Sequence, residues 1–159
     1  MIKHSESLIV VSGAKDPSYR TYPDGREHVM YTVEAEYPAE KIISAISGQL
    51  GKKGWKPLRE DFMNPGIQSS RIRGWKSFAD ATQQPEEGVH SWVADWESPA
   101  HDIVVYTLEY RTPGAAVSTY THSLKTLQVI GLYIPARVAA DMKKLAAASR
   151  AGIAKQNRP

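Results

Sequence analysis

The residues with the strongest potential for binding chemistry are aromatic side chains on two predicted neighbouring strands. Trp92 and Trp96 are four residues apart on a strand, so they share one face and lie about 13 Å apart. Tyr106 and Tyr110 occupy the matching face of the partner strand. Together these side chains could line an aromatic groove for a peptide, a sugar or a flat ligand. We favour the alternative that they fill the core between sheet and helix, because aromatic side chains dominate core burial.

A second candidate is the segment RIRGWK, in which Arg71, Arg73 and Lys76 surround Trp75. Basic residues interleaved with an aromatic ring could hold a phosphate backbone and stack a base. Three charges over six residues are few for a nucleic-acid module. Charge also protects an edge strand from pairing with another sheet, and we favour that interpretation. If the segment binds a ligand, we expect an acidic protein or a small anion.

Histidine and carboxylate side chains often carry catalysis and metal binding, but their spacing here matches no such motif. The five histidines contain no HxH or HExxH pattern. His90 and His122 could supply polar groups to a pocket if their strands are neighbours. Asp95, Glu97 and Glu109 are expected on the outward face of a hairpin, where solvation is the common state. Without a nucleophile elbow or a phosphate-binding glycine loop, the sequence predicts no catalytic residue, no metal site and no cofactor.

The composition is that of a soluble globular protein, with 42% hydrophobic and 23% charged residues. A length of 159 residues predicts one domain whose core needs no metal or disulfide. The absence of cysteine excludes disulfides and thiol chemistry. No apolar run approaches the roughly 18 residues of a membrane-spanning helix. The apolar run at 8–11 is too short for a signal peptide, so the compartment is cytoplasmic by default, or secreted or periplasmic if a signal peptide was removed.

The formal net charge of +3 is unevenly distributed along the chain. From residue 135 onward there are six basic residues and one acidic residue, whereas the first 134 residues carry 14 basic and 16 acidic residues. The C-terminal segment could therefore lie on an anionic surface, although we favour its docking on the domain or on a second copy. The nearly neutral remainder gives no electrostatic argument for nucleic acid.

Hydrophobic periodicity predicts the elements that position these residues. Alternation of apolar and polar residues from 29 to 37 predicts a half-buried strand. Ile42, Ile46 and Leu50 at helical spacing predict a helix over 38–53. A second helix is predicted from Pro135 to about Gly152. Residues 16–26 are predicted to be a loop, because they contain two prolines and a Pro-Asp-Gly turn. Further strands are predicted at 6–12, 55–58, 69–78, 90–98, 103–111 and 117–134, the last as one long strand or as two shorter ones interrupted near Lys125.

This order of elements predicts an α+β fold. An antiparallel sheet of about four to six strands is expected, with one amphipathic helix packed on one face and a C-terminal helix. A cystatin-like roll, in which a curled antiparallel sheet cradles one helix, fits the element order, and so does a flatter split arrangement. Residues 1–152 are predicted to form a single domain, and residues 153–159 a flexible basic tail.

The function that this pattern favours is non-catalytic. We expect a small binding or protein-interaction domain, such as an accessory, inhibitor or immunity-type factor. A protein partner or self-association is expected in preference to a small-molecule ligand. The alternative is a ligand carrier or an enzyme of the open-roll type, with an aromatic pocket lined by the sheet. The two differ around Trp92 and Trp96, because a carrier needs a cavity where an interaction domain has a solid core. Nucleic-acid binding ranks last.

Overall fold

One antiparallel sheet and two helices are present in the computed structural model, which describes residues 3–34, 39–58, 62, 71–72, 75–78, 91–110 and 126–156. The helices are α1 (Ala39–Lys52) and α2 (Ala136–Gln156). The strands are β1 (Ala14–Thr21), β2 (Glu27–Glu34), β3 (Lys56–Pro57), β4 (Arg71–Ile72), β5 (Trp75–Phe78), β6 (Ser91–Glu97), β7 (Ile103–Tyr110) and β8 (Thr126–Ile134). Their order is β1-β2-β8-β7-β6-β5-β4, and β3 pairs with β6. The predicted α+β fold is confirmed, with six described strands of four or more residues.

Strands β6 and β7 form the predicted hairpin. Its register pairs Trp92 with Leu108, Ala94 with Tyr106 and Trp96 with Val104. All six of these side chains belong to one apolar cluster on the same face of the sheet. The alternation along each strand therefore identified the core face correctly, because successive side chains of a strand point to opposite faces.

Helix α1 packs on this face through the stripe that its sequence predicted. Ile42, Ile46 and Leu50 are buried in the same cluster as the hairpin residues. Trp75 of β5 is also buried there, and its indole Nε1 donates a hydrogen bond of 2.8 Å to Ser47 Oγ. This bond satisfies the polar atom of a buried tryptophan and fixes the helix against the far side of the sheet.

Helix α2 lies on the opposite face of the sheet. Ile103 and Ile134 are buried there with Ala139 of the helix, and Met142 packs against them. From 143 to 151, Ala146 is the only one of the described side chains that is even partly buried. The helix is about 31 Å long, and its described side chains over 143–151 are therefore largely uncovered.

The end of α2 differs from the prediction. The helix continues to Gln156 instead of ending near Gly152, so residues 153–156 of the predicted tail are helical. The division into a domain over 1–152 and a tail over 153–159 stays a prediction. Neither of the two described helices is long and apolar enough to cross a membrane.

The predicted loop over 16–26 is wrong, because most of it belongs to the edge strand β1. Asp16 adopts a left-handed φ of 52°, and the register with β2 shifts between Lys15 and Ser18. This bulge accommodates Pro17 in a strand, since a proline cannot donate to the ladder and is tolerated at bulges and edges. A turn is present, but it is shorter than predicted. It closes the β1–β2 hairpin over 22–26, where Gly25 has a φ of 96°.

The predicted strand at 6–12 is also wrong. The segment has no strand pairing, yet Leu8, Ile9 and Val11 are buried in the α1-side core. Two tyrosine hydroxyls replace the missing ladder. Tyr106 accepts a hydrogen bond of 2.7 Å from the Ile9 amide and donates to the Ser7 carbonyl, and Tyr31 donates over 2.8 Å to the Ile9 carbonyl. Burial raises the pKa of both phenols far above the usual range, so both remain protonated donors.

The segment 69–78 was predicted as one strand, and this too is corrected. Its described residues form two short strands that pair with each other, Arg71 with Lys76 and Ile72 with Trp75. The chain therefore reverses direction within the segment. Strand β4 lies at the edge of the described sheet, as the charge of this segment suggested, while β5 is covered by β6 on its other side.

Candidate functional site

Three of the four aromatic residues predicted to line a groove, Trp92, Trp96 and Tyr106, lie in or beside the core. Trp96 is 3% exposed and Tyr106 is fully buried, and both contact the cluster beneath α1. Trp92 is partly buried and packs against the same cluster. Tyr110 ends β7 opposite Leu127, and nothing further is described of its side chain. The described members of this set are therefore part of the packing between sheet and helix.

The other predicted site residues are not brought together in the described part of the chain. Trp75 is buried under α1, and the backbone of Arg71 belongs to edge strand β4. Arg73, His90 and His122 lie outside the described residues.

Asp95 corrects the prediction of a solvated outward carboxylate. It is 1% exposed and accepts a hydrogen bond from the Phe62 amide, while its own carbonyl accepts one of 2.7 Å from the Leu58 amide. The chain after β3 covers this position, which alternation along a single strand could not reveal.

The described residues line an open polar cleft of about 520 Å³ at one end of the sheet. Its walls come from five parts of the chain: the N-terminal segment, the start of β2, the end of α1, the β6–β7 turn and the end of β8. It is lined by Lys3, His4, Ser5, Glu6, Glu27, Lys53, Trp55, Ser98, Pro99, Ala100, Asp102 and Tyr133. We refer to this site as the polar cleft.

Trp55 reaches the polar cleft because of the way in which α1 ends. Gly54 adopts a φ of 83°, the Gly54 amide donates to the Gly51 carbonyl, and the Trp55 amide donates to the Leu50 carbonyl. These two bonds form a Schellman motif, which uses glycine at the left-handed position. The turn carries Trp55 back against the core, where it is buried and supplies an apolar wall.

The N-terminal wall is held by two charged side chains. Glu27 Oε1 accepts a hydrogen bond of 3.2 Å from the Ser5 amide and lies 3.3 Å from His4 Nδ1. The His4 ring also stacks on Tyr19, with ring centroids 3.8 Å apart and planes 6° from parallel. Lys53 Nζ donates over 2.6 Å to the Glu6 carbonyl. The imidazole of His4 is therefore held in place by both a carboxylate and an aromatic ring.

The opposite wall is the turn between β6 and β7. The Ser98 amide donates to the Asp102 carbonyl, and the Asp102 amide donates to Ser98 Oγ over 3.0 Å. Asp102 also accepts a 2.8 Å hydrogen bond from the Ala136 amide and so caps the start of α2. Burial, and then the charge of Asp102, raise the pKa of Tyr133. Tyr133 is thus a protonated hydroxyl next to a carboxylate in the cleft.

Both signs of charge meet in the polar cleft. Carboxylates come from Glu6, Glu27 and Asp102, and ammonium groups from Lys3 and Lys53. Further hydrogen-bonding groups come from His4, Ser5, Ser98 and Tyr133. The described residues contain no group of three or more His, Asp or Glu placed to hold a metal ion. The arrangement is suited to binding a polar organic molecule through several hydrogen bonds beside one aromatic wall.

Sequence reasoning missed the polar cleft because its residues are scattered from Lys3 to Tyr133 with no common spacing. A local signal in the sequence is Gly54, a residue type that commonly ends a helix, directly before Trp55. Comparisons with protein-family models, with curated proteins and with solved structures gave no match.

Proposed function

We propose that this protein is a non-catalytic binding domain whose ligand is a small polar molecule held in the polar cleft. The observation that carries the proposal is the convergence of carboxylates, ammonium groups and an aromatic wall in one concave space of about 520 Å³. A few well-placed polar groups in a cleft of this size are typical of small-molecule sites. The cleft is separate from the core face that sequence reasoning considered as a pocket.

The charges of the cleft favour a zwitterionic or neutral ligand. Three carboxylates and two ammonium groups leave a lining that is close to neutral. A ligand with several charges of one sign would be repelled by part of this lining, whereas a molecule carrying both signs can pair with both. A neutral polyol can use the same groups as hydrogen-bond partners, with Trp55 beside its apolar face.

A ligand screen against a blocked cleft tests this proposal. The probes are glycine, betaine, glucose, putrescine and citrate. Binding of each is detected by the chemical-shift changes of the protein's amide signals. We expect zwitterions and polyols to shift the cleft residues more than putrescine or citrate does. Ala100 is exposed at the rim, so Ala100→Trp is expected to fill the space without disturbing the core and to weaken binding roughly tenfold or more.

The matched control is Ala147→Trp, which places the same side chain on an exposed alanine of α2 outside the cleft. It should bind the probes like the unmodified protein. The proposal fails if no probe shifts the cleft residues, or if the two variants bind equally well.

A second candidate function is the docking of an acidic protein on the distal half of α2. Leu145 is 72% exposed, and the alanines around it are mostly exposed as well. After Asp141 the chain carries five basic residues and no acidic one. Because two such helices would repel each other, charge complementarity favours an acidic partner over a second copy.

Poly-L-glutamate is the probe for this second candidate. We expect it to shift amide signals over 143–151, and Lys144→Glu to weaken that binding roughly fivefold, as reversal of a rim charge should. Lys41→Glu makes the same change on an exposed position of α1 and serves as the control. If light scattering shows a stable dimer and Leu145→Ser disrupts it, the exposed face of α2 serves self-association and the proposal of an acidic partner fails.

A further inference from the structure

Three arginines gather around the β1–β2 turn, in a cluster that does not line the polar cleft. The guanidinium carbons of Arg20 and Arg26 lie 5.1 Å and 4.8 Å from the centre of the Tyr22 ring. Arg137, in the first turn of α2, donates over 3.2 Å to the Asp24 carbonyl. We call Arg20, Tyr22, Arg26 and Arg137 the arginine patch.

The fold brings the two parts of the arginine patch together through a close contact. A Cβ at Gly25 would lie 3.2 Å from Cγ of Pro135, so the tip of the hairpin seats directly against the start of α2. Within the turn, the Gly25 amide donates to the Tyr22 carbonyl and the Tyr22 amide donates to the Arg26 carbonyl. The arginine patch is therefore built on a hydrogen-bonded turn that packs against Pro135, a residue distant in the sequence.

The positive charge of the patch is only partly neutralised. Asp24 accepts hydrogen bonds from the amide and from Nε of Arg26, at 3.1 Å and 2.8 Å, and these bonds lower its pKa. No carboxylate of the described residues pairs with Arg20 or Arg137. His28 lies opposite Arg20 in the ladder, and burial and then the charge of Arg20 lower the pKa of its ring, which favours the neutral form of the histidine.

The geometry restricts the anion that would fit. Guanidinium groups present planar forks of donors, and stacking on an aromatic ring limits their motion before binding. A carboxylate has two oxygens and one charge, which a single guanidinium can satisfy. A phosphate group has oxygens in several directions and more charge, so it can engage several guanidiniums together. The first 134 residues of the chain are nearly neutral, which argues against the extended basic surface of a nucleic-acid module.

We propose that the arginine patch binds a small ligand through a diphosphate group. The guanidinium carbons of Arg20 and Arg26 both lie near the same tyrosine ring, so they are at most about 10 Å apart, a gap that the two linked phosphates of a diphosphate can bridge. Arg26 and Arg137 both contact Asp24. This site is independent of the polar cleft and does not rest on the function proposed there.

Inorganic pyrophosphate is the probe for this site, titrated at about 0.15 M ionic strength so that distant surface charges are screened. We expect it to shift the amides over 20–26 and at 137, and to bind more tightly than orthophosphate or citrate. Arg20→Gln and Arg137→Gln should each weaken binding about tenfold, the effect expected when one charge-assisted hydrogen bond is lost. Arg20→Lys keeps the charge but loses the forked donors, so its affinity for pyrophosphate should lie between that of the unmodified protein and that of Arg20→Gln.

Two controls separate the patch from general electrostatics. Lys41→Gln removes one charge from an exposed site on α1, and Ala100→Trp blocks the polar cleft; neither should alter pyrophosphate binding. If Lys41→Gln weakens pyrophosphate binding as much as the arginine variants do, the binding depends on net charge alone and the proposal is overturned. Citrate binding as tightly as pyrophosphate would also overturn it, and so would the absence of any shift around the turn.

Discussion

Replacing Tyr106 with phenylalanine is expected to lower the free energy of unfolding by about 2–4 kcal/mol, because two buried backbone groups lose their partner at once. The Tyr106 hydroxyl accepts from the Ile9 amide and donates to the Ser7 carbonyl, and the residue is fully buried. Since the N-terminal segment has no strand pairing, no ladder bond can compensate. Urea unfolding of the variant and the unmodified protein measures the loss.

Tyr19→Phe is the control for this prediction. It removes the same hydroxyl from a side chain that is 41% exposed, where water can replace any lost bond, so we expect a change within about 0.5 kcal/mol. Hydrogen exchange should also distinguish the variants: Tyr106→Phe is expected to speed exchange at Ile9 more than in the sheet. If both variants have the stability of the unmodified protein, the hydroxyl does not hold the segment in place.

Replacing Gly131 with alanine is expected to lower the free energy of unfolding by about 1–3 kcal/mol through overpacking. Gly131 of β8 pairs with Tyr106 of β7 and Val29 of β2, and the Tyr106 ring lies across the glycine. A Cβ there would come within 3.0 Å of Tyr106 Cε1 and 3.2 Å of Val29 Cγ1. Because β8 is central in the sheet, neither neighbour can withdraw without disturbing the core.

Gly48→Ala is the matched control, and it should act in the opposite direction. Gly48 lies within α1, and a Cβ there meets nothing within 4 Å. Alanine is better than glycine in a helix by about 1 kcal/mol, so this variant should be more stable than the unmodified protein. Thermal unfolding separates the two, since 1 kcal/mol corresponds to roughly 2–4 °C for a chain of this size. A stabilising Gly131→Ala would mean that the Tyr106 ring moves aside freely.

The elements that were predicted well are those whose signal is repeated within one segment. Ile42, Ile46 and Leu50 recur at the helical period, and the buried stripe of α1 contains all three. The β6–β7 hairpin was equally clear, because its apolar and polar residues alternate on both strands. A repeated pattern reports which face of an element is buried, whatever element later covers it.

Elements whose conformation depends on single contacts were predicted badly. The segment around Ile9 is apolar like a strand, but tyrosine hydroxyls from β2 and β7 satisfy its backbone in place of a neighbouring strand. Strand β1 contains Pro17 and turn-forming residues, and only pairing with β2 through a bulge makes it a strand. Local propensity was overridden in both cases by tertiary hydrogen bonds.

The sequence by itself determined that this chain builds an α+β core from one amphipathic helix and an alternating hairpin, because burial of an apolar stripe depends on residues close together in the chain. It could also identify Trp92, Trp96 and Tyr106 as core candidates, which their packing supports. The polar cleft and the arginine patch were decided only by the tertiary structure. Both join short pieces that are distant in sequence, such as His4 with Glu27 and Asp24 with Arg137. Such charged side chains carry no periodic signal, since their chemistry depends on which other charges the fold places within a few ångströms.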